Sequence, residues 1–434
     1  MMARRKKAPV EETAPETEDQ EPVLTDEEDV TPEAERQEEE PAVERQVVES
    51  QGEESASYET VVIEVQVREL REAMGLIGPI VPKKPVLEAL SCVQLRNGQA
   101  MATDLEISAT VDLPGFEGHC LVPYRPVLDL IRYIPGHEVL AIEQRGRDLN
   151  LSWSEGKASY ETYEPVDYPP LREPEAKVEA IVDGDTLVSS LLAMVGYCAT
   201  EESRPVLTGV TVFLGDSVEI AAGDGYRMAY RTLPVAIPTE EDGMSNVIIP
   251  TRAIEFLNHL WTKAPRTAPA VDSLVELVSS RGKLHLSLGS NGLRARFGPV
   301  SMVSQLIAGT PPNFKQLIPT EPPTGVYIYA PDLERAVRRV RGVAEDAKGI
   351  VRLAWENGTM TVSARGEEKA SVEATIPVQT QGDPGKVALN VKYLLEYLKG
   401  KTGMVTMGIT SPTAPVLFRY ASSPLVLIMP MFAQ

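Results

Sequence analysis

The side chains most able to act as catalysts or metal ligands are few and widely separated in this 434-residue chain. The three cysteines, Cys92, Cys120 and Cys198, stand in apolar surroundings, and the four histidines show no spacing typical of a metal site. Asp224 lies in a Gly-Asp-Gly turn, but a lone glycine pair between two strands is a weak signal for phosphate binding. The sequence shows no nucleophile–base pair and no P-loop. It therefore predicts a binding protein without cofactor or metal; an enzyme at a domain junction is the alternative from a different class.

The C-terminus is the stretch that most resembles a docking surface. Most chains end in polar residues, whereas this one ends in an apolar run. Leu425 to Ile428 is typical of a buried strand, and Pro430 ends strand pairing because it has no N–H to donate. Met429 and Met431 are thioethers, which suit adaptable binding surfaces. Two interpretations remain open: a docking site, or a terminal strand that completes a core.

Charge divides the chain into two parts. The net charge is −21, and residues 1–58 account for −13 of it with 19 acidic and 6 basic residues. This segment is rich in Glu and Pro and poor in aromatic residues, which predicts a disordered tail. The rest of the chain is mildly acidic, which argues against a protein that binds nucleic acid over its whole outer surface. With no signal peptide or membrane-spanning run, the sequence predicts a cytoplasmic protein.

The sequence from Tyr58 onward repeats itself three times. Each unit carries two amphipathic helices and several short strands, and the second helices begin near Pro123, Pro250 and Asn390. Pro-rich joints separate the units. The predicted fold class is α+β, with two helices packed on antiparallel sheets in each of three domains. The predicted bounds are 1–58 for the tail, 59–174, 175–319 and 320–434.

Basic side chains recur on the outer faces of the predicted helices. Arg335, Arg338 and Arg339 are spaced i, i+3, i+4, which places them on one face. Further helix bases are Arg68, Arg125, Arg252 and Lys392. If these faces line one surface, it would attract phosphate without reading base sequence. The alternative is that surface helices commonly carry such residues.

Six short motifs, in this order, resemble the bacterial DNA polymerase III beta subunit, or sliding clamp, family over essentially all of residues 59–434. They are Thr103-Asp-Leu-Glu106, Leu207-Thr-Gly209 with Gly223-Asp-Gly-Tyr-Arg-Met228, Val247-Ile-Ile-Pro250, Pro311-Pro-Asn-Phe314, Leu389-Asn-Val-Lys-Tyr393 and Met429-Pro-Met431.

The resemblance implies a DNA clamp fold and a non-enzymatic processivity factor. Two copies would associate head to tail as a homodimeric ring around duplex DNA, with helices lining the hole. The basic helix residues above would then face DNA, joined by Lys83 and Lys84 in a loop. The ring would tether the replicative polymerase, the clamp loader and repair proteins through short linear motifs, in a cytoplasmic, nucleoid-associated setting.

The resemblance also implies a partner-peptide pocket between the second and third domains. Its second-domain side matches Leu207, Gly223, Gly225, Tyr226, Arg227, Met228, Pro250 and Ile254. Its third-domain side matches Tyr393, Thr413, Pro415, Leu427, Ile428, Met429, Pro430 and Met431. Tyr226 stands where the family usually has histidine.

The ring interface matches four residues: Ala158, Tyr160, Gly342 and Val343. Gly342 and Val343 fall where the family has larger aliphatic residues. The alternative within the binding class is therefore a diverged clamp paralogue, a scaffold that binds partners without a stable ring.

Overall fold

The computed structural model of the protein describes residues 61–113, 115–239, 244–265, 282–366, 370–421 and 423–432. The predicted acidic tail, residues 1–58, lies outside the described residues. The described helices are α1 (Val67–Ile77), α2 (Tyr124–Ile131), α3 (Gly184–Val195), α4 (Thr251–Lys263), α5 (Ala330–Glu345) and α6 (Val391–Leu398). None of them is long and apolar enough to cross a membrane.

The described strands form four antiparallel sheets. The first sheet has the order β1 (Val61–Gln66), β6 (Val139–Arg145), β7 (Asp148–Trp153), β8 (Gly156–Glu161). The second has the order β5 (His119–Pro123), β2 (Cys92–Arg96), β3 (Gln99–Thr103), β4 (Ile107–Asp112), β16 (Val300–Gln305), β15 (Gly292–Phe297), β14 (Lys283–Leu288), β9 (Val178–Asp183).

The other two sheets include the C-terminal strands. The third has the order β13 (Asn246–Pro250), β10 (Gly209–Phe213), β11 (Val218–Gly223), β12 (Arg227–Leu233), β25 (Leu425–Ile428), β24 (Val416–Arg419), β23 (Met404–Ile409), β17 (Thr324–Tyr329), β21 (Gln379–Gln381). The fourth has the order β20 (Ser371–Pro377), β19 (Thr359–Arg365), β18 (Ile350–Glu356), β22 (Gly385–Asn390). The predicted α+β class is confirmed.

The helices form where the apolar spacing predicts them. In α1 the predicted inward positions Val67, Leu70, Met74 and Ile77 are all fully buried, as a 3.6-residue period requires. The helices α1 and α2, α3 and α4, and α5 and α6 pack in pairs. Together with the inner faces of the sheets they enclose one continuous apolar core.

Two of the sheets run across the joints between repeats. Strand β4 pairs with β16, which places Ser108 opposite Val303. Strand β12 pairs with β25, which places Met228 opposite Leu427. Backbone hydrogen bonds therefore join neighbouring repeats directly. The domain bounds at residues 174/175 and 319/320 fall between β8 and β9 and between β16 and β17, and they stay predictions.

Each of the stretches 100–112 and 218–231 forms two strands separated by a tight turn, as the Gly-Asp-Gly motif predicts for the second stretch. The Oδ1 atom of Asp104 accepts the N–H of Glu106 at 3.0 Å and that of Ile107 at 2.8 Å. Asp224 makes the equivalent pair of hydrogen bonds, both 2.9 Å long, to the two residues before Met228. Side-chain acceptance by aspartate replaces ladder hydrogen bonds and reverses the chain.

Candidate partner-binding and nucleic-acid interfaces

The C-terminal strand and the Gly-Asp-Gly turn, which lie two hundred residues apart in the sequence, meet in the third sheet. Arg227 pairs with Ile428 in the register of β12 and β25. Just beyond the strand, the N–H of Met429 donates to the carbonyl oxygen of Tyr226 at 2.8 Å. The two walls predicted for the partner pocket are thus hydrogen-bonded neighbours.

A cavity of about 880 Å³ opens beside this contact. Five of the residues predicted for the partner pocket line it: Leu207, Gly225, Tyr226, Arg227 and Tyr393. Its volume lies in the range of roughly 300–1,000 Å³ that is usual for ligand sites. The geometry therefore supports a binding site between α3, the turn before β12 and α6.

Sequence reasoning missed one wall of this cavity. The end of α3 and the loop after it contribute the stretch 195–204, including Gly196, Tyr197 and Arg204. This stretch carries no motif, and it begins where α3 ends, at Val195. This wall forms because α3 ends at Val195 and the chain continues beside the cavity as a loop.

The Arg227 side chain holds the floor of the cavity together. Its guanidinium pairs with Asp224, with 3.1 Å between Nε and Oδ2, and with Glu396 of α6. It donates to the Gly196 carbonyl oxygen at 2.8 Å and lies over the Tyr393 ring, 4.5 Å from the centroid. The side chain is only 9% exposed. A buried cation with this many partners fixes both its own position and that of α6.

Burial keeps one thiol and two phenol hydroxyls of the cavity in their neutral forms. Burial, reinforced by the nearby Asp224 carboxylate, raises the pKa of the Cys198 thiol to about 12. Burial is also the main cause that raises the pKa values of the Tyr197 and Tyr393 hydroxyls. At neutral pH the cavity therefore presents protonated phenols and an unreactive thiol, which is suited to binding rather than to nucleophilic chemistry.

A separate apolar cluster lies on the outer face of the third sheet. Three predicted pocket residues, Leu207, Met228 and Leu427, are buried there with Phe314 and Tyr230. Alternate residues of a strand point to opposite faces, so these side chains face away from the helices. The predicted apolar part of the pocket is therefore assembled, and Phe314 covers it.

The remaining predicted pocket residues differ in how deeply they are buried. Ile254 and Ile428 are fully buried in the main core, where they support the wall from behind. Gly223, Pro250 and Pro415 are buried or half-buried, whereas Thr413 and Met429 are exposed beside the terminal strand. Pro430 and Met431 are half-buried, and the N–H of Met431 donates to the Ala388 carbonyl oxygen at 2.8 Å.

Some of the predicted DNA-facing residues form ion pairs with neighbouring carboxylates, and others do not. Lys83, Lys84, Arg125 and Arg339 are exposed. Within the described ranges they make no ion pair. Arg68 pairs with Glu72 at 2.9 Å, Arg335 with Asp332 at 3.1 Å, and Arg338 with Glu334 at 2.6 Å. Two of the three arginines of the basic face predicted on α5 are therefore held in intrahelical ion pairs, and the field of this face is weaker than the arginine count suggests.

Two predicted DNA-facing residues have other positions. Arg252, at the start of α4, pairs with Asp104 and, at 3.5 Å, with Glu106 across the joint between the first two repeats. Lys392 lines the 880 Å³ cavity next to Tyr393. Arg252 thus links the first two repeats and Lys392 borders the cavity, and their contact with phosphate stays a prediction.

The four predicted ring-interface residues lie in or beside two edge strands, β8 and β20. Ala158 and Tyr160 are half-buried in β8, the edge strand of the first sheet. Val343 is half-buried on α5, which packs against β20, the edge strand of the fourth sheet. Gly342 is exposed, and a methyl group at its Cα would meet nothing within 4 Å.

Two family models match this chain. Residues 182–313 match the central domain of the DNA polymerase III beta subunit, and residues 315–432 match its C-terminal domain. Together the matches span more than half of the chain. Among relatives, the beta sliding clamp of Streptomyces coelicolor is 27% identical over 367 residues, covering 82% of this chain and 91% of that protein. The beta sliding clamp of Escherichia coli K12 is 24% identical over 384 residues, covering 86% and 99%.

Solved structures share the fold. The Pseudomonas aeruginosa sliding clamp bound to griselimycin has a TM-score of 0.75 and 22% identity, covering 86% of this chain and 100% of that one. The beta subunit of Thermotoga maritima DNA polymerase III has a TM-score of 0.72 and 19% identity over the same shares. The family matches, the relatives and the fold agree with the motifs in the sequence: the chain belongs to the DNA polymerase III beta subunit family.

Proposed function

We propose that this protein is a DNA sliding clamp, a non-enzymatic processivity factor that encircles duplex DNA as a homodimeric ring. The observation that carries the proposal is the pairing of strands at the two joints. Strand β4 meets β16 at the first joint, and β12 meets β25 at the second. The strands β8 and β20 are among the edge strands of the four described sheets.

These two open edges are the equivalents of the strands that pair at the joints. Within the threefold repeat, β8 occupies the place of β16 and β25, and β20 occupies the place of β4 and β12. An unpaired edge presents unsatisfied N–H and C=O groups. Pairing β8 of one copy with β20 of a second would build a third joint like the first two. Two copies joined head to tail in this way close a ring.

The register at the first joint predicts the register of this third joint. The pair Met302–Ala109 at the first joint corresponds to Ala158 opposite Ala374 of the partner copy. In the same register Tyr160 lies opposite Val372. The half-buried Val343 and the exposed Gly342 lie on the helix beside this edge.

Light scattering and DNA retention test the ring. We expect a mass near twice 47.4 kDa across micromolar concentrations, with retention on closed circular DNA and release from linear DNA. A monomeric mass at every concentration would instead support the scaffold without a stable ring, an alternative that no observation here favours.

A disulfide across the edge tests the register. Opposite Cα atoms in an antiparallel pair lie about 4.5–5.5 Å apart, within the range for a disulfide. Ala158→Cys with Ala374→Cys should therefore give a covalent dimer on oxidation. The three native cysteines are buried and should not interfere. Ala158→Cys with Thr375→Cys, one residue out of register, is the matched control, and equal cross-linking of both would refute the register.

The DNA-facing surface follows from the ring. Exposed bases on the helices and in the 83–84 loop would contact phosphate only, which suits sliding because such contacts carry no base sequence. Lys83→Glu with Arg125→Glu should lower retention on circular DNA and reduce its dependence on salt. The same two changes should leave the dimer mass unchanged, because neither side chain lies at β8 or β20.

The 880 Å³ cavity and the adjoining terminal strand are the proposed docking site for the polymerase, the clamp loader and repair proteins. Short apolar peptides would bind there with micromolar affinity, about 8 kcal/mol. Truncation before Met429 should abolish such binding, because Met429 carries the backbone hydrogen bond to Tyr226. We expect a cytoplasmic, nucleoid-associated protein.

A further inference from the structure

The turn between β3 and β4 and the turn between β11 and β12 have the same backbone geometry. Each is closed by an aspartate that accepts two backbone N–H groups, and in each the next residue has positive φ. That residue is Gly225 at the 880 Å³ cavity, with φ +92°, and Leu105 at the joint between the first two repeats, with φ +79°. The first joint therefore reproduces the frame that borders the cavity, with leucine in the place of glycine.

The strand that crosses each joint is hydrogen-bonded to this turn in the same way. At the first joint, the N–H of Gln305 donates to the Glu106 carbonyl oxygen at 2.9 Å. The Gln305 side chain also donates to the Leu105 carbonyl oxygen at 2.9 Å. At the second joint, the corresponding backbone donor is the Met429 N–H. The two joints are thus structural equivalents.

A groove of about 590 Å³ opens beside the turn at the first joint. At the second joint, the cross-strand pair Met228–Leu427 is buried in a cluster with Phe314. The equivalent pair at the first joint is Ser108–Val303, which is half-buried and lines the groove. None of the described residues that line the groove is aromatic. The strand surface that is covered at the second joint is therefore accessible at the first.

The linker between the first two repeats forms one wall of the groove, and contacts with β15 hold it in place. Pro169 and Pro174 line this wall. A Cβ atom on Gly292 of β15 would lie only 2.9 Å from the Cβ of Pro174, so the linker can pack this closely only against glycine. Glu173 of the linker pairs with Arg294 of the same strand at 3.1 Å. A groove with a fixed wall is shaped before a ligand arrives, which lowers the cost of binding.

Leu105 contributes an apolar side chain to this groove in a strained backbone conformation. Its positive φ is unfavourable for every residue except glycine and a few short polar residues. The side chain is 43% exposed, so burial in the core does not offset the strain. Strained residues of this kind are concentrated at ligand sites. Contact between Leu105 and a bound apolar group accounts for both the strain and the exposure.

The charged side chains of the groove indicate which ligand fits it. Arg172, Glu106 and Glu173 line the groove. Both carboxylates have a cationic partner, because Glu173 is held in its ion pair with β15 and Glu106 lies 3.5 Å from Arg252. Arg172 is exposed and makes no ion pair with any residue that the structure describes. A ligand with one apolar side chain and a nearby carboxylate therefore complements Leu105 and Arg172.

We propose that this groove is a second peptide-docking site, which binds an extended segment of a partner protein that carries an apolar side chain close to a carboxylate. The apolar side chain packs against Leu105 and Leu306, which also lines the groove, and the carboxylate pairs with Arg172. Neither β8 nor β20 contributes to the groove, so closure of the proposed ring does not use it. The docking depends on neither DNA nor the ring.

A fluorescein-labelled hexapeptide, Gly-Leu-Leu-Gly-Asp-Glu, tests the docking by fluorescence anisotropy with the full chain. A control peptide with Asn and Gln in place of the two acids should bind about threefold more weakly, because it cannot form the ion pair. A second control with serine in place of both leucines should bind about tenfold more weakly, because it buries less apolar surface. Affinity for the first peptide should fall as salt rises, because screening weakens exposed charge pairs.

Substitutions in the protein locate the site. Leu105→Gly should lower hexapeptide affinity about five- to tenfold while it stabilises the fold, so the loss could not be attributed to unfolding. Arg172→Glu should lower the affinity about three- to tenfold. Arg145→Glu is the matched control, because Arg145 is also exposed but lies in the first sheet and does not line the groove. Tyr226→Ala alters the 880 Å³ cavity and should leave hexapeptide binding unchanged.

Four results would overturn the proposal. They are no binding of the hexapeptide, an equal loss from Arg145→Glu and Arg172→Glu, a loss from Tyr226→Ala but not from Leu105→Gly, and binding of a DNA duplex in place of the peptide at the groove. The anisotropy assay with the hexapeptide contains no DNA and requires no ring. Failure of DNA retention would therefore leave a positive peptide result standing, and loss of hexapeptide binding would leave the clamp function untouched.

Discussion

The Arg227 side chain should determine how firmly the second and third repeats are joined. It links β12 to Asp224, to the Gly196 carbonyl at the end of α3, and to Glu396 on α6. We therefore consider Arg227→Ala. The substitution removes every one of these contacts and leaves the strand pairing itself in place.

The contacts of Arg227 allow an estimate of the free energy that Arg227→Ala would remove. A hydrogen bond from a charged donor to a carbonyl contributes about 1.5–3 kcal/mol. The cation over the Tyr393 ring adds roughly 0.5–2 kcal/mol. The pair with Glu396 adds about 0–1 kcal/mol, because that carboxylate is well exposed. Contributions that share one side chain are not additive. We expect a loss of about 3 kcal/mol in the free energy that opposes local opening of the joint.

Hydrogen exchange measures this loss at the joint. The Met429 amide is a direct probe because it donates to the Tyr226 carbonyl oxygen across the joint. A loss of about 3 kcal/mol corresponds to exchange roughly 100-fold faster there and in α6. Exchange in α1 should stay unchanged, because α1 belongs to the first repeat. Partner-peptide affinity should fall together with the protection.

Arg341→Ala provides the matched control. Arg341 pairs with Glu345 at 2.7 Å on the surface of α5, and both side chains are about half exposed. An exposed pair spaced i, i+4 contributes about 0.3–0.5 kcal/mol, so exchange should change by less than threefold. Equal exchange rates at Met429 in the Arg227→Ala and Arg341→Ala variants would refute the assignment of Arg227 as the link.

Three further outcomes are expected. Leu105→Gly should increase the free energy of unfolding by up to about 1 kcal/mol and so raise the urea midpoint, because Leu105 has φ +79°, which strains any residue other than glycine, and its side chain is 43% exposed. A lower midpoint would contradict this. Asn390→Ala should lower the free energy of unfolding by about 1 kcal/mol, because the Asn390 side chain accepts a hydrogen bond from the Lys392 N–H at 2.9 Å. Asn390→Ser should retain most of the stability, because serine can accept the same hydrogen bond. Burial raises the pKa of the Cys120 thiol to about 12, so a thiol reagent at pH 8 should modify it only in denaturant. Rapid labelling of native protein would show that this strand opens.

Local features of the sequence determined the elements and the repeat. The apolar period placed all four predicted inward residues of α1 in the core. The Asn97-Gly98 turn has positive φ at both residues, the geometry that this pair favours between strands. Pro123, Pro250 and Asn390 stand immediately before α2, α4 and α6, as predicted. These features depend on sterics and hydrogen bonds within a few residues, so a sequence reveals them.

Tertiary structure decided which charges are available and which residues meet. Nothing local shows that Arg252 pairs with Asp104, because the two lie 148 residues apart and meet only when β4 joins β16. Lys392 borders the 880 Å³ cavity because α6 and the end of α3 line that cavity together, which its place on its own helix does not show. The cavity wall at 195–204 likewise follows from where one helix stops. Charge pairing and cavity shape depend on distances between elements, and those distances exist only in the folded chain.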